Sequence, residues 1–359
     1  MIEKILAYIL ACCNNSEFEQ TTVALISENL KISRSQVSVV LNKLVKENKL
    51  IRIESKPFCF ISVEYLKEKG IPFKNSLYAS IDDLLSNQEK KDFEKLVGMN
   101  HSLAQTVKQC KATISYPPNG LPMLLYGPTG TGKSLIAKLT YEWARNQGVI
   151  SKNGQFVQVN CSEYANNPEL LTANLFGHVK GAFTGAEKDN EGLIALADNG
   201  VLFLDEVHEL KAECQEKLFL FMDQGIYHRV GDNEKWYKSN VRIVFATTEN
   251  PDKVLLKTLM RRIPMTITIP SLEQRGTQER IELLHDIFSQ EEKRLDCQIK
   301  ISSKVYNALL QSKMPGNIGQ LKSSVQSCCI NSLFDKVNDE LVIHLDSLPK
   351  DLLQQVYAN

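Results

Sequence analysis

The stretch Met123-Leu-Leu-Tyr-Gly-Pro-Thr-Gly-Thr-Gly-Lys-Ser134 places an apolar run directly before a glycine-rich loop, and a helical pattern follows it. Strand, loop and helix in that order are the setting that a GxxxxGK[ST] phosphate loop requires. Its glycines let backbone N–H groups converge on phosphate oxygens, and the following helix adds the positive end of its dipole. The expected cradle for ATP is Gly127, Pro128, Thr129, Gly130, Thr131, Gly132, Lys133 and Ser134. Lys133 neutralises the outer phosphates and the Ser134 hydroxyl ligates Mg2+. A loop of this kind at the end of a buried strand predicts an α/β fold.

Downstream, Val201-Leu-Phe-Leu-Asp-Glu206 is an apolar run ending in two acids, as expected of a buried parallel strand that delivers carboxylates to the edge of a sheet. Asp205 is expected to hold Mg2+ through water, and Glu206 to polarise the attacking water as a general base. Further runs at Gln155 to Val159, Val241 to Ala246 and Met265 to Ile269 alternate with helical patterns, the mark of a parallel sheet. After Arg275 the strands are expected to stop. Helical periodicity continues through Arg280 to Arg294, Ser303 to Gln311 and Ile318 to Phe334.

Between the loop and the acidic strand lies Gly181, Ala182, Phe183, Thr184, Gly185 and Ala186, the hexapeptide GAFTGA. An apolar Phe flanked by glycines suits an exposed loop that touches a second molecule better than a packed element.

The chain has 359 residues, with 42 basic and 42 acidic side chains. Its length favours two or three domains, and its balanced charge leaves only local asymmetry to indicate a polyanionic partner. That asymmetry lies between Lys31 and Lys56, where seven basic residues meet two acids. The first 65 residues read as three helices and a hairpin. Ile2, Ile5, Leu6, Ile9 and Leu10 share one helical face, Thr21 or Thr22 caps a second helix, and Ser33 caps a third with Val37, Val40, Leu41, Leu44 and Val45 inward. This pattern resembles a winged helix-turn-helix, in which the third helix offers its outer face to the DNA major groove. Here that face would carry Arg34, Ser35, Gln36, Ser38, Asn42 and Lys43.

Nine cysteines without metal-ligand spacing indicate reduced thiols in a cytoplasmic protein. No stretch approaches a membrane span, so no membrane partner is expected.

The phosphate loop, GAFTGA, the FLDE strand and Pro315-Gly316-Asn317-Ile318 together resemble the AAA+ domain of bacterial sigma-54-dependent transcription activators, over about residues 93 to 335. The resemblance implies a homo-oligomer, usually a hexameric ring, in which ATP hydrolysis drives the GAFTGA loop against the sigma-54 subunit of RNA polymerase. The N-terminal winged domain, Arg261-Arg262-Ile-Pro and Ile318-Gly319-Gln320-Leu321 look more like the branch that regulates sugar phosphotransferase operons, typified by the levan-operon activator. The implied organisation is a winged helix-turn-helix (1–65), a linker (66–92), an AAA+ α/β ATPase domain (93–275), a helical lid (276–335) and a tail (336–359). The implied partners are sigma-54 RNA polymerase and double-stranded DNA upstream of promoters.

The resemblance also assigns roles. Gly181 to Ala186 engage sigma-54, Asn160 holds the catalytic glutamate and relays nucleotide state, Thr247 belongs to the first sensor, and Arg261 completes a neighbouring subunit's site. Three positions depart from the family pattern: Thr248 stands where an Asn is usual, Leu255 falls on a second arginine, and Gly319 on the second-sensor arginine. Arg262 or Lys257 could replace the arginine missing at Leu255, and Lys322 the one missing at Gly319. The alternative reading is therefore a nucleotide-responsive DNA-binding repressor with weak or absent turnover. Relatives of this branch generally continue into phosphotransferase-regulated domains, so the chain reads as a short form or a fragment.

Overall fold

The computed structural model describes every residue except 16, 55, 56, 70–72, 74, 75, 79, 80, 82, 83, 85–91, 336–338 and 359. Its contacts divide the chain into Met1–Lys90 and Lys91–Asn359. Lys56 of the basic cluster and the polar stretch 86–91 of the expected linker lie outside the described residues.

In the first unit, α1 (Ile2–Asn14), α2 (Val23–Leu30) and α3 (Arg34–Lys46) precede an antiparallel pair, β1 (Leu50–Ile53) and β2 (Cys59–Ser62). Thr22 and Ser33 cap α2 and α3 by accepting from Leu25 N and Gln36 N. The helices bury their apolar stripes, including Ile5, Ile9, Ile26, Val37 and Leu41, against the strand residues Leu50, Ile53 and Phe60. Residues assigned to the linker belong to this unit: Leu66 on α4 (Val63–Glu68), Tyr78 on β3 (Leu77–Tyr78) and Leu84 are buried in the same core. The polar, Gly- and Pro-containing sequence around them concealed three isolated apolar anchors. β3 pairs parallel to β1, opposite Arg52 and Ile53.

The second unit opens with α5 (Ala104–Ile114), β4 (Met123–Tyr126), α6 (Lys133–Asn146), β5 (Phe156–Asn160), α7 (Pro168–Phe176) and α8 (Leu193–Leu196). Next come β6 (Val201–Asp205), α9 (Ala212–Gln224), the pair β7 (Ile226–Tyr227) and β8 (Tyr237–Lys238), and β9 (Arg242–Thr247). The short helices α10 (Pro251–Val254) and α11 (Lys257–Met260) lead to β10 (Met265–Thr268). Five strands form one parallel sheet in the order β10-β4-β9-β6-β5. Strand alternation splits its side chains between two cores: Met123, Leu125 and Phe203 pack on α5 and α6, and Leu124, Leu204 and Phe245 on the side of α7 and α9. Both faces are covered, which explains why these strands read as continuous apolar runs.

Strands do not stop at Arg275. After α12 (Thr277–Leu295), β11 (Gln298–Ile301) pairs parallel with β12 (Glu340–Ile343), enclosing α13 (Ser303–Gln311) and α14 (Asn317–Asn331) between them in sequence. The expected tail from 336 joins this subdomain: Leu341 and Ile343, then Leu348 just before α15 (Lys350–Ala358) and Leu352 in its first turn, fill the core with Leu284, Leu309 and Leu321. Two four-residue strands are too short for periodicity to separate from helix. Their pairing is a contact distant in sequence.

Among the described residues no helix is long and apolar enough to cross a membrane. All nine cysteines are free thiols and all but Cys297 are buried. Burial pushes the thiols of Cys13 and Cys214 up to about 11 and those of Cys110 and Cys328 up to about 12. Because the thiolate is the reactive form, the native chain at pH 7.5 should release one equivalent rapidly with a thiol-reactive dye, from Cys297. Unfolding in denaturant should expose nine.

Candidate functional site

The C-terminal ends of β4, β9 and β6 lie side by side, and the loops leaving them converge. The loop after β4 turns into α6 at Gly132, so the first turn of that helix faces the end of β6. Ser134 Oγ donates to Asp205 Oδ2 at 2.9 Å. The two groups expected to hold Mg2+ therefore already face each other across the sheet. One hydroxyl and one carboxylate leave most of an octahedron to water and phosphate oxygens, which suits Mg2+. Among the described residues no cluster of three His, Cys, Asp or Glu side chains forms a complete metal site of its own.

Lys133 folds back on the loop, donating from Nζ to the carbonyls of Gly127 at 2.8 Å and Pro128 at 3.2 Å. Burial holds its pKa below the usual lysine value, opposed by the charges of Glu206 and Asp205. An incoming phosphate would restore the favour for the charged form. The other expected cradle residues, Thr129, Gly130, Thr131 and Gly132, line a cleft of about 450 Å3 with Asp205 and Glu206, within the size range of small-molecule sites.

The far wall of this cleft comes from the C-terminal subdomain through Ile287, Ile318, Gly319 and Lys322. Asn317 joins the walls: its Nδ2 donates to Thr129 O and its Oδ1 accepts from Leu272 N, both at 2.8 Å. Gly319 N donates to Gly130 O at 3.2 Å. At this position, where the resemblance implied an arginine, the helix backbone itself touches the phosphate loop. Arg275 donates from Nη2 to Thr131 O at 2.8 Å and pairs with buried Glu279 at 3.5 Å. Glu279 in turn accepts from Ser102 Oγ at 2.8 Å. Sequence reasoning assigned no role to Asn317 or Arg275; only the motif around Pro315-Gly316-Asn317 hinted at the former.

Glu206 adopts φ +49°, an unusual conformation for a side-chain-bearing residue. Its Oε2 accepts from Thr248 Oγ1 at 3.0 Å, and His208 Nδ1 lies 3.4 Å from the same oxygen. Asn160 is opposite Asp205 in the register of β5 and β6, yet its Oδ1 accepts from Ser162 N at 3.2 Å and Ser162 Oγ at 2.9 Å. Thr247 is fully buried, with Oγ1 3.1 Å from His208 Nδ1 and accepting from Glu249 N at 3.1 Å. The threonine that reaches the acid pair is Thr248.

Arg261 is exposed just past α11. Leu255 is buried in the sheet's core. Arg262 forms a forked pair with Asp223, from Nε to Oδ1 at 2.9 Å and from Nη2 to Oδ2 at 2.8 Å, and its guanidinium covers the Phe219 ring at 4.5 Å. That pairing holds the Asp223 carboxyl below its usual range. Of the two arginines, Arg262 is committed within its own chain and Arg261 is the one presented outward.

The GAFTGA loop spans the connection from α7 to α8. Its stem closes where Gly192, at φ +82°, approaches Gly177 so closely that a Cβ there would lie 2.3 Å from Gly177 N. Gly181 and Gly185 have φ +82° and +100° with open space around them. Phe183 is 39% exposed, its ring edge-on to His178 at 4.9 Å. Thr184 is exposed, Ala182 half-buried and Ala186 buried, so the last residue of the hexapeptide supports the loop from below.

In the N-terminal unit, Arg34, Ser35, Asn42 and Lys43 are exposed on α3 and Ser38 is half-buried. Gln36 has a local partner: Ser33 Oγ donates to its Oε1 at 2.8 Å and accepts from its backbone N at 3.4 Å. Sequence reasoning passed over Val39, which is 69% exposed on this helix.

Residues 96–267 match the sigma-54 interaction domain family. The chain is 42% identical over 342 residues to the transcriptional regulatory protein LevR of Bacillus subtilis, and 37% over 339 residues to the transcriptional regulatory protein DagR of Salmonella typhimurium. Each alignment takes in 92% of this chain but 37% and 36% of the respective relative, so the chain spans little more than a third of their length. The crystal structure of NtrX from Brucella abortus in complex with ADP matches with a TM-score of 0.58 and 25% identity, over 76% of this chain and 59% of that one.

Replacing Asn317 with Ala would leave the carbonyl of Thr129 and the N–H of Leu272 without these partners in a buried joint. Thermal unfolding should show a loss of about 2–3 kcal/mol.

Proposed function

Because this chain belongs to the sigma-54 activator family and resembles its LevR-type members, we propose that it is a DNA-binding transcriptional regulator whose ATP hydrolysis remodels sigma-54 RNA polymerase. The observation that carries this reading is the pairing, within one domain, of a phosphate-loop cleft containing Glu206 with an outward loop presenting Phe183 and Thr184. The active form is a homo-oligomeric, hexameric ring, working in the cytoplasm at sugar phosphotransferase operons.

In this reading Lys133 moves from the carbonyls of Gly127 and Pro128 to the outer phosphates, and Ser134 and Asp205 hold Mg2+. Glu206 takes a proton from the attacking water as its oxygen bonds to the γ-phosphorus and ADP departs with the bridging oxygen. Arg261 of one subunit stabilises charge at its neighbour's site. The hydrolysis cycle changes the pose of the GAFTGA loop, whose glycines tolerate new backbone angles. The α3 face meets double-stranded DNA, with Arg34 and Lys43 on phosphates and Ser35, Ser38 and Asn42 toward bases.

A second reading, a nucleotide-responsive repressor with weak turnover, is favoured by the burial of Leu255 and the commitment of Arg262 to Asp223. ATP turnover that rises with protein concentration supports the remodelling reading, because the site is then completed between subunits. Binding without turnover in an assembled ring supports the repressor.

Thr184→Ala should keep ATP turnover within about threefold while abolishing capture of sigma-54 in the presence of ADP and aluminium fluoride, since the substituted side chain lies outside the cleft. Capture at the wild-type level would overturn the assignment of the loop. On DNA, Arg34→Ala and Lys43→Ala should each reduce the salt slope of binding by about 1, read from affinities across a salt series.

A further inference from the structure

The outer face of α3 carries a single aliphatic side chain in its middle. Val39 is 69% exposed, while Val37, Val40, Leu41 and Leu44 of the same helix are buried in the core of the unit. Past Gln36 the other exposed side chains of α3 are Asn42, Lys43 and Lys46. Resting on the proposed DNA-binding role of this unit, we infer that Val39 reads the C5-methyl group of a thymine in the major groove and so sets a base preference in the bound site.

Neither core packing nor helix propensity accounts for a valine at this position. Its side chain lies outside the buried stripe, and a β-branched residue on a solvated helix is less favourable than Ala, Lys or Gln. The neighbours one turn away, Ser35, Gln36, Asn42 and Lys43, are polar or cationic and exposed. A protein-binding surface gathers several apolar residues into a dry centre. Val39 is instead one apolar group in a polar, basic setting.

The major groove has the complementary pattern. Its floor presents hydrogen-bonding edges interrupted by one apolar group, the thymine methyl, and its rims are phosphates. No Asp or Glu occurs from Arg34 to Lys46. The first acid after the helix, Glu47, lies 3.1 Å from Lys49 and 3.8 Å from Lys43. In the first turn Ser33 Oγ donates to Gln36 Oε1 at 2.8 Å and is 3.3 Å from Ser35 Oγ, so the polar groups there engage one another. Base discrimination in the middle of the helix then falls to Asn42, whose carboxamide suits an adenine edge, and to Val39, whose methyl groups suit a thymine. A cytosine in place of that thymine would present an N–H donor to a side chain that offers no acceptor.

The full chain is first used to enrich its binding site from a pool of random DNA duplexes. Each thymine of that site is then replaced singly by deoxyuridine, which removes the methyl group and nothing else. At one thymine or more, deoxyuridine should weaken wild-type binding about three- to fivefold, the worth of one buried methyl group. Val39→Ala should bind the unmodified duplex about three- to tenfold more weakly and be indifferent to deoxyuridine at the same thymine, the non-additivity expected of groups in contact. Its salt slope should equal that of the wild type, because no phosphate contact is lost. Wild-type binding that tolerates deoxyuridine at every thymine, or a Val39→Ala chain that loses as much as the wild type does, would overturn the inference while the DNA-binding reading stands. So would a Val39→Ala chain that binds DNA normally but changes its oligomeric state, which assigns Val39 to a protein contact. A pool from which no duplex is enriched would refute the DNA-binding reading itself, and the inference with it.

Discussion

The hydrogen bond from Ser134 to Asp205 ties the first turn of α6 to the end of β6, two elements 71 residues apart in sequence. The cleft depends on this closure. It exists because β4 and β6 are parallel strands separated only by β9, so their C-terminal ends deliver a cationic loop and an acid pair to the same edge. Parallel strands need both faces covered, and the two apolar cores on either side of the sheet hold those strand ends in register. The polar site is thus positioned by packing that takes no part in its chemistry.

The same edge is shared with the C-terminal subdomain. Asn317, Gly319 and Arg275 all bond to main-chain carbonyls of the phosphate loop, at Thr129, Gly130 and Thr131. Carbonyl oxygens accept from whatever donor approaches, so these bonds register the position of the loop's backbone and not the identity of its side chains. Movement of the loop is thereby coupled to the subdomain through short, directional contacts. The GAFTGA loop leaves the domain elsewhere, between α7 and α8, and is limited at its base by the close approach of Gly177 and Gly192. Above that pinch, Gly181 and Gly185 face open space. The loop is thus closely packed at its stem and open around its tip.

Departures from the family pattern acquire physical reasons in this arrangement. Leu255 is apolar because it belongs to the core, and at Gly319 the backbone of α14 donates to the Gly130 carbonyl, so the main chain makes the contact with the phosphate loop there. Arg262 has a carboxylate and an aromatic face within its own chain. Thr248 in place of Asn changes the number of available donors from two to one, which alters how Glu206 is held more than whether it is held.

Read alone, the sequence determined the parallel α/β sheet, the phosphate loop, the acid pair and the outward GAFTGA loop. These features are local: strand periodicity, glycine spacing and a run of apolar residues ending in acids are written in consecutive residues. It also marked the three N-terminal helices, whose caps at Thr22 and Ser33 and apolar stripes are local too. Tertiary structure alone decided that β11 and β12 pair across the C-terminal subdomain and that Leu66, Tyr78 and Leu84 anchor the supposed linker. It likewise decided that Asn160 turns to Ser162 while Thr248 holds Glu206. Each of these rests on a contact between residues distant in sequence, and a hydrogen-bond partner 42 residues away leaves no periodicity in the sequence from which to read it.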